Sequence, residues 1–283
     1  MSTSLRTGVF VDVENVNCNG GRAMSYAVLA DFARRDGGEA LRMNAYLAFD
    51  EDRARDDTGY RERAMRYHFA LRASGFKVIE KKVRWYRTEE GKMVSKANSD
   101  LDLGVDMLLQ SNKLDRVILL SGDGDFVQVV RAVQNLGCRV ELVAFQNVSY
   151  DLRRECDFFL SGYLVPNLVS VPGKAPAWGQ EASRVRGTCY YFNPEKGFGF
   201  FRCLIGVDNL HLTEAGQAGC PYKEVFFHRS CFIADVDVTA LPSRDIVFEF
   251  TLAPEASRDG CKWAAADIAP VSSYFRNGNG HRK

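Results

Sequence analysis

Six acidic positions carry the first chemical signal in this sequence. Asp12 closes the apolar run VFVD, Asp100, Asp102 and Asp106 fall in SDLDLGVDMLL, and Asp123 and Asp125 follow VILLS in SGDGDF. Carboxylates gathered in one place repel and raise one another's pKa unless a cation sits among them. Hard divalent ions such as Mg2+ and Mn2+ take oxygen ligands of this kind and keep part of their water. One or two such ions polarise a phosphate, activate an attacking water and stabilise the leaving oxygen. The motifs contain no evident covalent nucleophile, and none of the four histidines lies in them. The chemistry to expect is metal-assisted attack on a phosphate.

Each acid has a plainer role to weigh against this. An Asp that follows a strand often caps the next helix, which would suffice for Asp123, Asp125 or Asp100 taken singly. Asp12, in mid-strand context, is expected to have no capping role. On a helix Asp102 and Asp106 share a face, whereas Asp100 points roughly 160° away from Asp102. Capping does not explain why so many acids would gather on one edge of one sheet.

That edge depends on the elements. Apolar runs at 6–13, 41–49, 76–86, 115–121 and 139–145 read as strands, with another in FFLSGYLV. Helical spacing is seen at 24–35, 52–74, 99–112, 125–136 and 150–157, with Gly75 and Gly137 as stops. The glycines of SGDGDF read as residues that let the backbone turn tightly into the next helix. Strands alternating with helices predict an α/β fold, a parallel sheet with helices on both faces. Ligands then bind beyond the carboxyl ends of the strands, where Asp12, Asp123 and Asp125 are expected. Residues 166–183, rich in Pro, Gly and small side chains, read as a linker. Beyond it come short strands at 187–192, 199–203, 224–228, 246–252 and 261–268, the pattern of a small all-β barrel.

The segments VFVDVENVN, SDLDLGVDML and LLSGDGDFVQVVRAVQNLGCRVELVAF resemble the NYN domain, a branch of the PIN-like nuclease fold. The resemblance covers about residues 6–164, and SGDGDF with its following helix and strand is its most specific part. It implies a metal site of Asp12, Asp100, Asp123 and Asp125, with Asn15 as a polar partner and Ser121 as a hydroxyl before the Gly-Asp. Asp106 would be a supporting acid, and Asp102 fits less securely. The implied reaction is Mg2+- or Mn2+-dependent hydrolysis of a phosphodiester, chiefly in RNA.

Basic residues lie close by in sequence. In FKVIEKKVRWY, Lys81, Lys82, Arg84 and Trp85 are expected to form a phosphate-binding rim beside the acids. The arginines at 53–72 are interleaved with acids and read instead as a solvated, ion-paired helix.

In the C-terminal part, Phe198 and Phe200 alternate with glycines in KGFGFF, so both rings project from one strand face with nothing bulky to screen them. Exposed rings beside a lysine form a stacking platform worth about 1–3 kcal/mol per base. RGTCYYFNPEKGFGFFRC and KEVFFHRSCF resemble the cold-shock domain, a five-stranded OB-fold barrel, over about residues 184–271. The resemblance implies base contacts from Tyr191, Asn193, Lys196, Phe198, Phe200, Phe226 and His228. Tyr191 stands where that family usually has Trp, Tyr190 where it has Lys and Arg229 where it often has an aromatic residue, and the stretch between the two motifs is long. The barrel therefore reads as an auxiliary grip.

The expected organisation is a nuclease domain at 1–165, a linker at 166–183, a cold-shock-like barrel at 184–271 and a polar tail at 272–283. At 283 residues the chain can bury two cores. Its net charge of +1 decides nothing, because clustered acids would subtract from any basic groove. The eight cysteines show no CxxC pair, which argues against zinc and against a disulfide framework. No apolar run reaches the roughly 18–20 residues of a membrane span, and no signal-peptide core is seen. A cytoplasmic, non-membrane protein acting on single-stranded RNA or DNA is expected, and a homodimer is compatible with this. The alternatives are an RNA-binding regulator that keeps the fold without catalysis and, far less well matched, a haloacid dehalogenase-type phosphatase. The latter wants an acid two residues after Asp12, where Glu14 stands followed by Asn15.

Overall fold

The computed structural model describes residues 4–87, 93–96, 99–171, 176–212, 217–254 and 263–273, with backbone only at 84–87, 93–96 and 272–273. The chain divides into two compact units, Met1–Leu160 and Ser161–Lys283. In the first, the order is β1 (Arg6–Asp12), α1 (Val13–Cys18), α2 (Tyr26–Ala33), β2 (Glu39–Phe49), α3 (Glu51–Asp56), α4 (Thr58–Ala73), β3 (Lys77–Lys82), β4 (Arg84–Arg87) and β5 (Met93–Lys96). It continues with α5 (Asp100–Ser111), β6 (Arg116–Leu120), α6 (Val127–Asn135), β7 (Arg139–Ala144), α7 (Tyr150–Glu155) and β8 (Phe158–Ser161).

The main sheet runs β3-β2-β1-β6-β7-β8, with β3/β2, β2/β1, β1/β6 and β6/β7 paired in parallel. β1 is central and buried from Thr7 to Asp12, as a strand covered on both faces must be. Phe10, Tyr46 and Leu119 pack with Leu103 and Met107 of α5 and Val130 of α6. Val9 and Val11 alternate to the opposite face, where α2 crosses β1 and β2. The same alternation sends Asp12 to the face of Phe10, which is the α5 face.

Three elements differ from the sequence reading. The first is α1, unpredicted because Val13 prolongs the apolar run of β1. Asp12 starts this helix: its Oδ1 accepts from Asn15 N at 3.1 Å, so the expectation that Asp12 caps nothing is wrong. The second is the helix expected at 52–74, which is two helices. Asp57 leaves the helical region (φ −114°, ψ 95°) and caps α4 by accepting from Tyr60 N at 2.8 Å. The third is the strand expected at 76–86, which ends at Lys82. After Val83 the chain leaves the main sheet, and β4 pairs antiparallel with β5.

The second unit contains β9 (Arg184–Asn193), β10 (Phe198–Leu204), β11 (Tyr222–His228), β12 (Ser243–Pro254) and β13 (Trp263–Ser273). These close a barrel in the order β10-β11-β13-β12-β9, antiparallel except for β11/β13. Phe201, Phe227, Phe248 and Phe250 fill it and are fully buried, each worth about 1.5–3 kcal/mol relative to exposure. The predicted α/β sheet followed by a five-stranded barrel is therefore the fold. Among the described residues no helix is long and apolar enough to cross a membrane.

Candidate active site and nucleic-acid face

At the carboxyl edge of the sheet, β1 and β6 lie side by side with Val11 opposite Leu120, so Asp12 comes level with Ser121. Ser121 Oγ donates to Asp12 Oδ2 at 3.0 Å and accepts from Asp123 N at 3.1 Å. Asn15 Oδ1 accepts from Gly122 N at 2.8 Å and ties α1 to the loop after β6. Asp123 caps the 3-10 turn Gly124–Phe126 by accepting from Asp125 N at 3.0 Å. Neither Gly122 nor Gly124 has a positive φ, so the tight-turn explanation of these glycines does not hold. Close neighbours favour them instead. A Cβ on Gly122 would lie 3.1 Å from Asn147 O, and one on Gly124 would lie 2.8 Å from Ser149 Oγ.

The acids respond to one another. Asp12 is buried, and its carboxyl is pushed up to about 6, chiefly by burial and further by Asp100 and Asp123, against the hydrogen bonds from Asn15 N and Ser121 Oγ. Asp100, in the first turn of α5, is raised by burial and then by Asp123 and Asp125. Asp123 is half-buried and Asp125 exposed. Among the described residues no Lys or Arg pairs with Asp12, Asp123 or Asp125. No three His, Cys, Asp or Glu side chains close into a ready-made metal cage among those residues. The arrangement is thus an open group of oxygen donors in mutual repulsion.

Sequence reasoning weighed Glu14 only for a phosphatase and passed over Tyr46. Glu14, in the first turn of α1, is raised by burial and additionally by Asp100. Tyr46, paired in register with Asp12, is fully buried and donates from its hydroxyl to Asp106 Oδ2 at 2.8 Å. Asn44 Nδ2 in turn donates to that hydroxyl at 3.1 Å. Asp106 therefore anchors α5 to β2. An Asp-x-Glu-Asn string could have drawn attention to Glu14, but nothing in the sequence marked Tyr46.

The basic residues lie elsewhere in the charge pattern. Lys81 Nζ is 2.7 Å from Asp102 Oδ2, and Lys82 Nζ is 2.9 Å from Glu51 Oε1. The side chains of Arg84 and Trp85 lie outside the described residues. Burial pushes the Cys138 thiol up to about 11 and the Cys156 and Cys203 thiols up to about 12, which leaves them poor nucleophiles.

On the barrel, Tyr191, Phe198, Phe200 and Phe226 form one contiguous set of rings. Centroid distances are 5.9 Å for Phe198–Phe226, 5.8 Å for Phe200–Phe226 and 6.1 Å for Tyr191–Phe198. A bulge in β9 opposite Phe200/Phe201 turns Tyr190 outward beside Tyr191, so Tyr190 joins the set at 6.4 Å from Phe200. Arg202 lies 5.0 Å over the Tyr190 ring. Gly199 faces the core, so it does not serve to unscreen the rings: a Cβ there would meet Tyr191 O at 2.4 Å and the Phe227 ring at 2.7 Å. Asn193 Oδ1 accepts from Lys196 N at 2.9 Å and shapes the β9–β10 turn, while His228 Nδ1 lies 2.8 Å from Ser230 Oγ. Lys196 itself is exposed.

Comparison with known proteins bears on the first unit. The NYN domain family model matches residues 6–165. The chain is similar to the low amplitude and bright protein LabA of Synechococcus elongatus, with 25% identity over 162 residues, 55% of this chain and 82% of that protein. Among solved structures, a Vibrio parahaemolyticus protein of unknown function matches with a TM-score of 0.47 and 24% identity, over 57% of this chain and 94% of that one.

Proposed function

The chain belongs to the NYN domain family, and from that premise we propose that it is a metal-dependent nuclease that hydrolyses phosphodiester bonds of single-stranded RNA, or DNA, in the cytoplasm. NYN is a nuclease-type domain. The observation that carries the reading is the gathering of Asp12, Asp100, Asp123 and Asp125 at the carboxyl edge of the sheet, where Asp12 and Asp100 are raised by burial first and by their acidic neighbours second. Unrelieved, their repulsion costs stability; a hard cation relieves it.

The donors suit Mg2+ or Mn2+ in chemistry, being all oxygen and, among the described residues, uncompensated by Lys or Arg at Asp12, Asp123 and Asp125. Their open arrangement leaves positions for water and substrate oxygens, as such ions require. Asp12, Asp100, Asp123 and Asp125 would hold the ion. When bound, it would supply polarisation of the phosphate and a water of lowered pKa. The remaining work falls to the chain itself. Ser121 and the Asn15 amide hold Asp12 in place, while Asn15 and Ser149 fix the Gly122 backbone from two sides. The second unit, read as a cold-shock-like barrel, would grip the strand on Tyr191, Phe198, Phe200 and Phe226 by base stacking.

The alternative is an RNA-binding regulator without catalysis. It draws on the capping bonds of Asp12 and Asp123, which show that both acids also have structural work. End-labelled single-stranded RNA and DNA, incubated in Mg2+, Mn2+ or EDTA, separate the two. Cleavage should need metal and should fall about a hundredfold or more in Asp123→Asn, roughly 3 kcal/mol of transition-state stabilisation. Cleavage in EDTA, or an undiminished variant, would refute the mechanism. Binding without cleavage of any substrate would favour the regulator.

A further inference from the structure

A cavity of about 500 Å3 opens beside the acids, and the proposed reaction leaves it unused. Its floor is Val13 with Leu47, Ala48 and Phe49. Asp12 is level with Tyr46, so this floor begins just past Asp12 on the same sheet edge. One wall is the first turns of α1 and the segment after it, with Glu14 and Arg22; the other is α3 and α4, with Arg53, Tyr60, Arg63 and Tyr67. The volume lies in the range of small-molecule clefts, roughly 300–1,000 Å3.

Three arginines and one carboxylate, Glu14, line the cavity, with Asp57 close to Arg53 and Arg63. Arg53 is engaged: it lies 4.6 Å over the Tyr60 ring and 3.7 Å from Asp57 Oδ2. Arg22 and Arg63 are exposed and make no ion pair among the described residues, although Arg63 is near enough to Asp57 to add, after the hydrogen bond from Tyr60 N, to holding that carboxyl below its ordinary value. The two phenol rings are held in place. Tyr60 OH accepts from Asp50 N at 3.2 Å and its ring stacks on Phe49 at 6.1 Å, while Tyr67 OH lies 2.7 Å from Tyr26 OH. The arginines read in the sequence as a solvated, ion-paired helix are thus split by the break at Asp57, which brings Arg53 and Arg63 to one cavity.

Guanidinium groups free of carboxylates recognise phosphate with paired N–H donors, and rings fixed at a cavity wall stack bases. We infer that this cavity receives one nucleotide of the bound single strand, its phosphate on Arg22 and Arg63 and its base against Tyr67, next to the phosphate at the acids. The inference rests on the nuclease reading for its neighbour and on the cavity alone for its chemistry. The cavity would set the register of the strand across the sheet edge, so that the acids meet one phosphate and not a sliding series.

The test uses the full chain and a fluorescein-labelled twelve-nucleotide oligouridylate, with oligodeoxythymidylate as its DNA counterpart. Binding is read by anisotropy in EDTA at several salt concentrations, and cleavage in Mg2+. Arg22→Gln and Arg63→Gln should each weaken binding roughly three- to tenfold and flatten the plot of log Kd against log salt by about 0.7. KM should rise in step, with kcat within about twofold. Arg55→Gln, an exposed arginine 3.0 Å from Asp52, removes the same charge elsewhere and should change neither. Thermal melting should match the parent in all three variants. Unchanged affinity and slope in both test variants, or an equal loss in Arg55→Gln, would overturn the inference. A parent that cuts while KM stays unmoved sinks the subsite alone. A parent that binds with these losses but cuts nothing keeps the subsite and sinks the nuclease reading.

Discussion

Asp12 shows how one residue can be both a structural cap and a chemical group. Its Oδ1 starts α1 and its Oδ2 takes the Ser121 hydroxyl, yet burial and two nearby acids hold its carboxyl near 6 where 3.8 is ordinary. The folded state therefore holds a proton at Asp12 more tightly than the unfolded chain does. That contribution is fully present below about pH 4 and is lost as the pH rises through about 6, on the order of 3 kcal/mol. In EDTA, the melting temperature of the parent relative to Asp12→Asn should drop by roughly 6–12 °C between pH 4 and pH 7. Mg2+ at pH 7 should recover much of it, because a cation replaces the proton. A constant difference between parent and variant across that range would remove the electrostatic basis of the proposed site. That Asp12, Asp123 and Asp125 would meet at one sheet edge was legible from the predicted strand ends, whereas the choice of Asp100 over Asp102 and Asp106 came from the family resemblance. The Asn15–Gly122 bond and the Tyr46–Asp106 bond were not legible, since each joins residues whose meeting depends on tertiary packing.

At the scale of elements, the α/β alternation was legible because a doubly covered strand and an amphipathic helix write different periods into the sequence. The breaks were hidden for a physical reason. Asp57 lies in a run of charges where a cap looks like any solvated acid, and Val83 continues the apolar pattern after the main-sheet strand has ended. The two ends of the sheet also handle charge differently. At the amino edge, buried Arg35 pairs with Glu141, and Arg116 donates to Thr7 Oγ1 and Ala33 O. At the carboxyl edge, Asp12, Asp123 and Asp125 lack such partners among the described residues, which is why that edge and not the other is the candidate site. In the barrel, the glycines of GFGF drew attention to the rings beside them, but Gly199 answers to the core. Gly199→Ala would force a Cβ to within 2.4 Å of Tyr191 O and 2.7 Å of the Phe227 ring. It should destabilise the barrel by about 1–3 kcal/mol. Urea unfolding should show this as an earlier barrel transition, with the Met1–Leu160 unit keeping its midpoint. An unshifted barrel would mean that β9 and β10 give way more easily than their packing indicates.

At the scale of the whole molecule, the net charge of +1 averages over regions of opposite character. One sheet edge concentrates acids, the cavity beside it holds three arginines, and the barrel presents a set of rings with Arg202 over one of them. A strand-cutting enzyme built this way would divide its labour, with chemistry and register in the first unit and grip in the second. The division has a kinetic signature. Removing rings from the barrel should cost binding shared equally by ground state and transition state, which raises KM and leaves kcat alone. Phe198→Ala with Phe226→Ala removes two stacked rings, and at about 1–3 kcal/mol per base KM on a long single strand should rise at least tenfold. On a dinucleotide, which leaves no further base to stack once its one phosphodiester is at the acids, the same variant should match the parent. Steady-state kinetics on the two lengths decides it. If kcat fell along with kcat/KM on the short substrate, the rings would be acting at the reacting centre, and the barrel could no longer be read as a grip alone.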